Sequence, residues 1–160
     1  MKMKLAMSPV SQNLLSCLEH VMMDWAFLGV DYLGEPGSPP ARLPLERKVR
    51  IPGRHSGAAL VLRGSMGLGE ELARSVKGAP GPSVDGGNAA FSELAVLLAE
   101  EWRKRFAPPA ADSSALAAEA SAPDSWPEGP PDGCVVATSR GWGLELLLWT
   151  PHEPHYASLN

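Results

Sequence analysis

Glu93 and Val96 stand three residues apart in the stretch Gly87 to Phe106, GNAAFSELAVLLAEEWRKRF. On a helix that spacing sets the two side chains next to each other. The apolar Val96 and its neighbour Leu97 either pack under the Ala/Pro-rich segment or form an interface, and an exposed apolar patch flanked by charge favours a protein partner. Leu97 and Glu100 extend the same side, so Glu93, Val96, Leu97 and Glu100 are the candidate partner-binding residues. The plain alternative for Glu93 is a solvated charge on the polar side of a helix, where most glutamates sit.

Other constellations offer less chemistry. Cys17 and His20 lie one helical turn apart, but they share a metal only if ligands arrive from elsewhere, and Cys17 fits a core stripe. His152 and His155 sit in a Pro-flanked tail with no carboxylate or thiol at ligand spacing. Ser65 and Ser75 lack a nucleophile elbow. The run GSMGLG has neither the lysine of a phosphate loop nor the GxGxxG order, and reads as a turn. Trp142 and Trp149 have no basic patch beside them and read as core or interface residues. No metal site and no cofactor site follow from these residues.

The helix that carries the candidate site is the longest element expected, spanning 88–106. Phe91, Leu94, Ala95, Leu98, Ala99, Trp102 and Phe106 repeat as one helical face. Gly86-Gly87 is expected to break the chain before it, Asn88 to cap it, and Pro108-Pro109 to stop it. Arg103, Lys104 and Arg105 suit the negative end of the helix dipole.

Around it, Ser8-Pro9 opens a helix to about Ala26, with an apolar stripe of Val10, Leu14, Cys17, Leu18, Val21, Met22 and Trp25. Phe27, Val30 and Tyr32 allow a short strand, followed by a Gly/Pro loop. Residues 47–51 and 56–63 pair as an antiparallel hairpin. Leu68, Leu72 and Val76 mark a helix of about ten residues, with Glu70 and Glu71 in its first turn and Gly78 as its stop. Segment 107–132 is Ala/Pro/Ser-rich and reads as a loop or insertion; within it ADSSALAAEA allows a short helix capped by Asp112 or Ser113. Residues 134–138 and 142–150 form a second hairpin around Ser139-Arg140-Gly141. Leu144, Leu146 and Leu148 share one face of the last strand; Glu145, Leu147 and Trp149 share the other. The tail from Pro151 is expected to be poorly ordered. The order gives an α+β class: an antiparallel β-sheet with helices packed on it, in one domain over 1–160.

Composition bounds the function. The chain is 44% hydrophobic and 20% charged, with a net charge of −4. That balance gives no electrostatic case for nucleic acid or an anionic membrane. MKMKLAMSPV lacks the apolar run of a signal peptide, and no stretch approaches a membrane span. The two cysteines, Cys17 and Cys134, form no CxxC motif. A cytoplasmic protein is expected.

Two segments carry a family resemblance: GAALVLRGSMGLGEELARSVKG (Gly57 to Gly78) and NAAFSELAVLLAEEWRKRF (Asn88 to Phe106). With the opening NLLSCLEHVMMDWAFLGV and the final WGLELLLWT, their order resembles the CheC/CheX group of bacterial chemotaxis phosphatases. The resemblance covers most of the chain outside the Ala/Pro segment and rests on order and pattern, with few identities. It implies a CheX-like fold and a CheY-like receiver domain as partner. It also implies a catalytic Glu-x-x-Asn on the exposed side of the long helix: the Glu engages a lysine of the phosphorylated regulator, and the Asn holds the attacking water. Glu93 matches the Glu, but Val96 stands at the Asn position, and an isopropyl group cannot orient water. Ala89 also replaces the acidic or hydroxyl residue often found four positions before the Glu.

The expectation is therefore a CheX-like, non-catalytic interaction domain that binds a receiver domain or forms a homodimer. An active aspartyl-phosphate phosphatase is the alternative, with Glu93 docking the partner and Asn88 or Glu100 orienting the water. A structural, oligomer-forming protein is the third reading.

Overall fold

The computed structural model describes residues 8–34, 43–51, 57–77, 84–106, 116, 118–119, 126–127 and 129–150. Ten elements follow in chain order: α1 Pro9–Val21, a π-helical turn Met22–Ala26, β1 Asp31–Gly34, β2 Leu45–Ile51, β3 Ala58–Gly64, α2 Met66–Lys77, α3 Val84–Phe106, β4 Ala118–Glu119, β5 Gly133–Ser139 and β6 Trp142–Trp149. The strands form one antiparallel sheet in the order β1-β5-β6-β3-β2-β4. The chain is thus α+β.

Strand alternation separates the two faces of the sheet. Leu45, Val49 and Ile51 of β2, Leu60 and Leu62 of β3, Val135 and Ala137 of β5, and Leu144, Leu146 and Leu148 of β6 join the helices in one buried cluster. Leu14, Cys17 and Leu18 enter that cluster from α1, and Leu68 and Leu72 from α2. Phe91, Leu94, Ala95, Leu98, Ala99 and Trp102 enter from α3. Each of the larger side chains contributes about 1.5–3 kcal/mol of apolar burial.

α1 starts as the sequence dictates. Ser8 caps it, accepting from the Ser11 amide at 3.1 Å, and Pro9 takes the first helical position. The Ser11 hydroxyl in turn accepts from the Cys134 amide at 3.0 Å and fastens α1 to β5. At its far end the helix does not continue in α form to Ala26. It widens into the π-helical turn and ends on Phe27 in left-handed conformation, φ 58°. That conformation reverses the chain, so Phe27 is no part of a strand, and β1 begins only at Asp31. The β5–β6 hairpin turns at Arg140 and Gly141, both at positive φ, which matches the twist of its strands.

α3 departs from its expected start. It begins at Val84, so Gly86 and Gly87 are helical and Asn88 is an interior residue, not a cap. The glycines are there for packing. A Cβ on Gly69 would lie 2.9 Å from the Gly87 carbonyl oxygen, and one on Gly87 would lie 3.1 Å from the Glu70 amide nitrogen. α2 and α3 cross backbone to backbone at this point. α2 itself starts three residues before Gly69, which moves Glu70 and Glu71 beyond its first residues. At the C-terminal end of α3, Phe106 is not core: it is 40% exposed and leans on Trp102 at 4.5 Å between ring centroids.

Within 107–132, Ala118 and Glu119 are a short strand and not part of a helix; they pair with Val49 and Lys48 of β2. The proposed caps Asp112 and Ser113 and the tail from Pro151 lie outside the described residues. Trp126 packs edge-on against Trp149, with Arg50 over its other side. The polar side of β6 is largely out of water: Glu145 and Leu147 are both buried.

The backbone crossing gives a direct test. Gly69→Ala should lower the urea unfolding free energy by about 1–3 kcal/mol, the usual cost of overpacking. Gly29→Ala, where a Cβ would meet nothing within 4 Å, should change it by less than about 0.5 kcal/mol.

Candidate docking site on the outer face of the long helix

The orientation of α3 follows from one arginine on the neighbouring strand. Arg47 occupies a core-facing position of β2, between Leu45 and Val49. Full burial of a guanidinium there would leave its donors unpaired. It reaches the near side of α3 instead. Its Nε donates to the Ser92 hydroxyl at 2.7 Å, one Nη to the Asn88 carbonyl oxygen Oδ1 at 3.4 Å, and the other to its neighbour Glu46's backbone carbonyl at 2.8 Å. The guanidinium also lies 5.8 Å from the centre of the Phe91 ring. Ser92 and Asn88 are thereby turned towards β2.

Glu93, the next residue, is turned out. It is exposed, and among the described residues it has no hydrogen-bond or ion-pair partner. Val96 is half-buried beside it. Leu97 is also half-buried and packs against the core, so this apolar pair is not a freely exposed patch. Glu100 is half-buried two turns along from Glu93, and it too lacks a partner among the described residues. All four sequence-identified residues therefore lie on one outer strip of α3. The next residue, Glu101, is engaged by Lys104 at 3.8 Å and by Arg105. Arg105 also donates to the Ser16 hydroxyl of α1 at 2.9 Å.

The remaining candidates are placed as follows. Cys17 is buried in the core, and burial pushes its thiol up to about 11. Burial likewise raises Cys134 to about 11, so neither thiol is an activated nucleophile. His20 pairs with Asp24 at 3.2 Å and not with Cys17. Ser65 follows β3; its amide donates to the Gly143 carbonyl, and its side-chain oxygen is buried without a partner among the described residues. Trp142 covers Gly67 at the start of α2 and is 42% exposed. His152 and His155 lie outside the described residues. Among the described residues no group of three or more His, Cys, Asp or Glu could hold a metal ion. Among them, too, no helix is long and apolar enough to cross a membrane.

Sequence reasoning missed Arg47 and a second charged group on the opposite face of the sheet. The signal for Arg47 was present: an arginine in phase with Leu45, Val49 and Ile51. On the other face Glu46, Arg63 and Glu145 stand in one cross-strand row. Arg63 bridges Glu46 at 2.6 Å and Glu145 at 3.0 Å, and Lys48 reaches Glu46 at 2.8 Å. These charges neutralise one another, in contrast to Glu93 and Glu100, which have no partner among the described residues.

No family model matches the chain, and no curated protein sequence matches it. Solved structures do. CheX from Vibrio vulnificus is 15% identical and superposes with a TM-score of 0.60 over 89% of this chain and 98% of that one. CheX from Desulfovibrio desulfuricans is 9% identical, with a TM-score of 0.66 over 90% of this chain and 100% of that one. A chain of the CheX–CheY–BeF3–Mg complex from Borrelia burgdorferi is 10% identical, with a TM-score of 0.58 over 92% of this chain and 100% of that one. The fold is CheX-like. At such low identities the likeness is one of architecture, and the CheX-like fold sets α3 as the longest helix on the covered face of the sheet.

The charged row on the sheet predicts an acid response. Burial opposes the charge of Glu46, but hydrogen bonds from Lys48 and Arg63 outweigh it and hold the carboxyl below its ordinary value. A carboxyl lowered in the folded state stabilises the fold above its unfolded pKa, and that contribution is lost as pH falls through the folded one. Glu46→Gln should therefore lower the thermal midpoint at pH 7 and narrow the gap to wild type as the buffer is taken below about pH 4.

Proposed function

We propose that this CheX-like chain is a non-catalytic interaction domain that binds a CheY-like receiver domain through the outer face of α3. The observation that carries the reading is the exposed Glu93 on that face, which has no partner among the described residues. A lysine of the receiver domain is its natural counterpart: a charge-assisted hydrogen bond forms without first breaking an internal ion pair. The CheX–CheY complex of similar fold supports the choice of partner. A cytoplasmic setting follows from that choice, since receiver domains are phosphorylated there, and homodimer formation is compatible with it.

Hydrolysis needs more than docking. Attack on an aspartyl phosphate by water depends on a group that holds the water in line. Val96, beside Glu93, has no donor or acceptor. Asn88 is held by Arg47 on the side of α3 that faces β2. Glu100 is seven residues from Glu93, about 10 Å along the axis. Neither substitutes for an amide at position 96, so docking without hydrolysis is the function that this strip supports.

A phosphate-release assay with a phosphorylated CheY-like receiver domain tests the reading. Wild type should leave the rate at that of the receiver domain alone. Val96→Asn should accelerate it about tenfold or more, within the range for a positioned catalytic group, and Glu93→Ala in that background should abolish the gain. Acceleration by wild type that disappears in Glu93→Ala would show an active phosphatase instead.

A further inference from the structure

The docking strip of α3 does not end at Glu100. Beside it runs a groove of about 440 Å³ between the end of α1 and α3. Val21, Trp25 and Leu97 give the groove its apolar lining. Trp25 belongs to the π-helical turn, a feature often found at functional sites. It is half-buried, packs against the core and lines the groove.

The charges around the groove are not equivalent. Asp24 is paired with His20, and Glu101 is engaged by Lys104 and Arg105. Glu100 lines the same groove and has no partner among the described residues. Glu93 and Leu97 are four residues apart, and Leu97 and Glu100 three, so the three side chains adjoin along one face. The strip thus presents carboxylate, apolar floor and carboxylate in succession, with neither carboxylate paired among the described residues.

We infer that this groove is part of the same docking surface: it seats an apolar side chain of the receiver domain, next to a cationic residue that pairs with Glu100. The inference rests on the reading of Glu93 given above. Charge complementarity selects the occupant. A cation brought to Glu100 gains a half-buried carboxylate that has no partner among the described residues, whereas an acidic partner would meet Glu93 and Glu100 together. An apolar anchor beside that cation fills the space over Trp25, as central anchors of protein interfaces do.

Titration calorimetry with a beryllofluoride-activated CheY-like receiver domain, on full-length protein, tests this. Wild type should bind, and Glu93→Ala, Glu100→Lys and Trp25→Ala should each weaken binding about tenfold or more. Glu100→Lys changes a half-exposed position, and its circular dichroism and thermal midpoint should match wild type. Loss of binding in Glu93→Ala, with Glu100→Lys and Trp25→Ala unchanged, would remove the groove from the interface and leave the α3 reading intact. Failure of wild type to bind would overturn both. Equal binding by all four proteins would place the receiver domain on another surface.

Discussion

The seating of α3 on the sheet is the constraint from which the rest of the molecule follows. Two contacts of different kinds fix it. Gly69 and Gly87 let the α2 and α3 backbones meet, which sets the height and crossing point of α3. Arg47 then fixes its rotation, because its donors to Ser92 and Asn88 lie on one side of the helix only. With the apolar stripe from Phe91 to Trp102 on the core and that polar side on β2, one strip is left outward. Glu93, Val96, Leu97 and Glu100 occupy it. The site is thus what remains of α3 after its packing is satisfied.

Much of this arrangement was legible in the sequence. The continuous apolar run of β3, the two faces of β6 and the period-3.6 patterns of α1 and α3 are strong, and the structure follows them. The misses have local physical reasons. Gly86-Gly87 reads as a break because glycine is a poor helix former, yet at Gly87 the absence of a Cβ is needed for the α2 crossing. Asn88 has the chemistry of a cap, and Arg47, distant in sequence, takes that oxygen for another purpose. Phe27 gives no local sign of left-handed backbone, since glycine is the residue expected there. Ala118–Glu119 looks helical by composition but is recruited as an edge strand by β2, a tertiary effect that no local window contains.

The candidate site was legible to a different degree. The resemblance to the CheC/CheX group set an amide at position 96 as the expectation, and residue type then showed the mismatch, because the isopropyl group of Val96 lacks the hydrogen-bonding capacity of an amide in any fold. What the sequence did not reveal was which carboxylates are compensated. Glu46, Glu101 and Glu145 look like Glu93 and Glu100 in a string of letters. Three-dimensional pairing separates them: the first three have cations at hand, and the last two have none among the described residues. The opposite face of the sheet carries a neutralised ionic row, while Glu93 and Glu100 of α3 have no partner among the described residues. That asymmetry is the physical basis for proposing a cationic partner at the helix and not at the strands.

Chemical-shift mapping tests this most directly. Isotope-labelled protein would be titrated with an unlabelled, beryllofluoride-activated receiver domain, and amide perturbations read along the chain. The account predicts that the largest changes centre on residues 93–100 of α3, with those of β2 and β3 on the ionic row left near their free values. Changes concentrated on Glu46, Lys48, Arg63 and Glu145, with α3 silent, would contradict it.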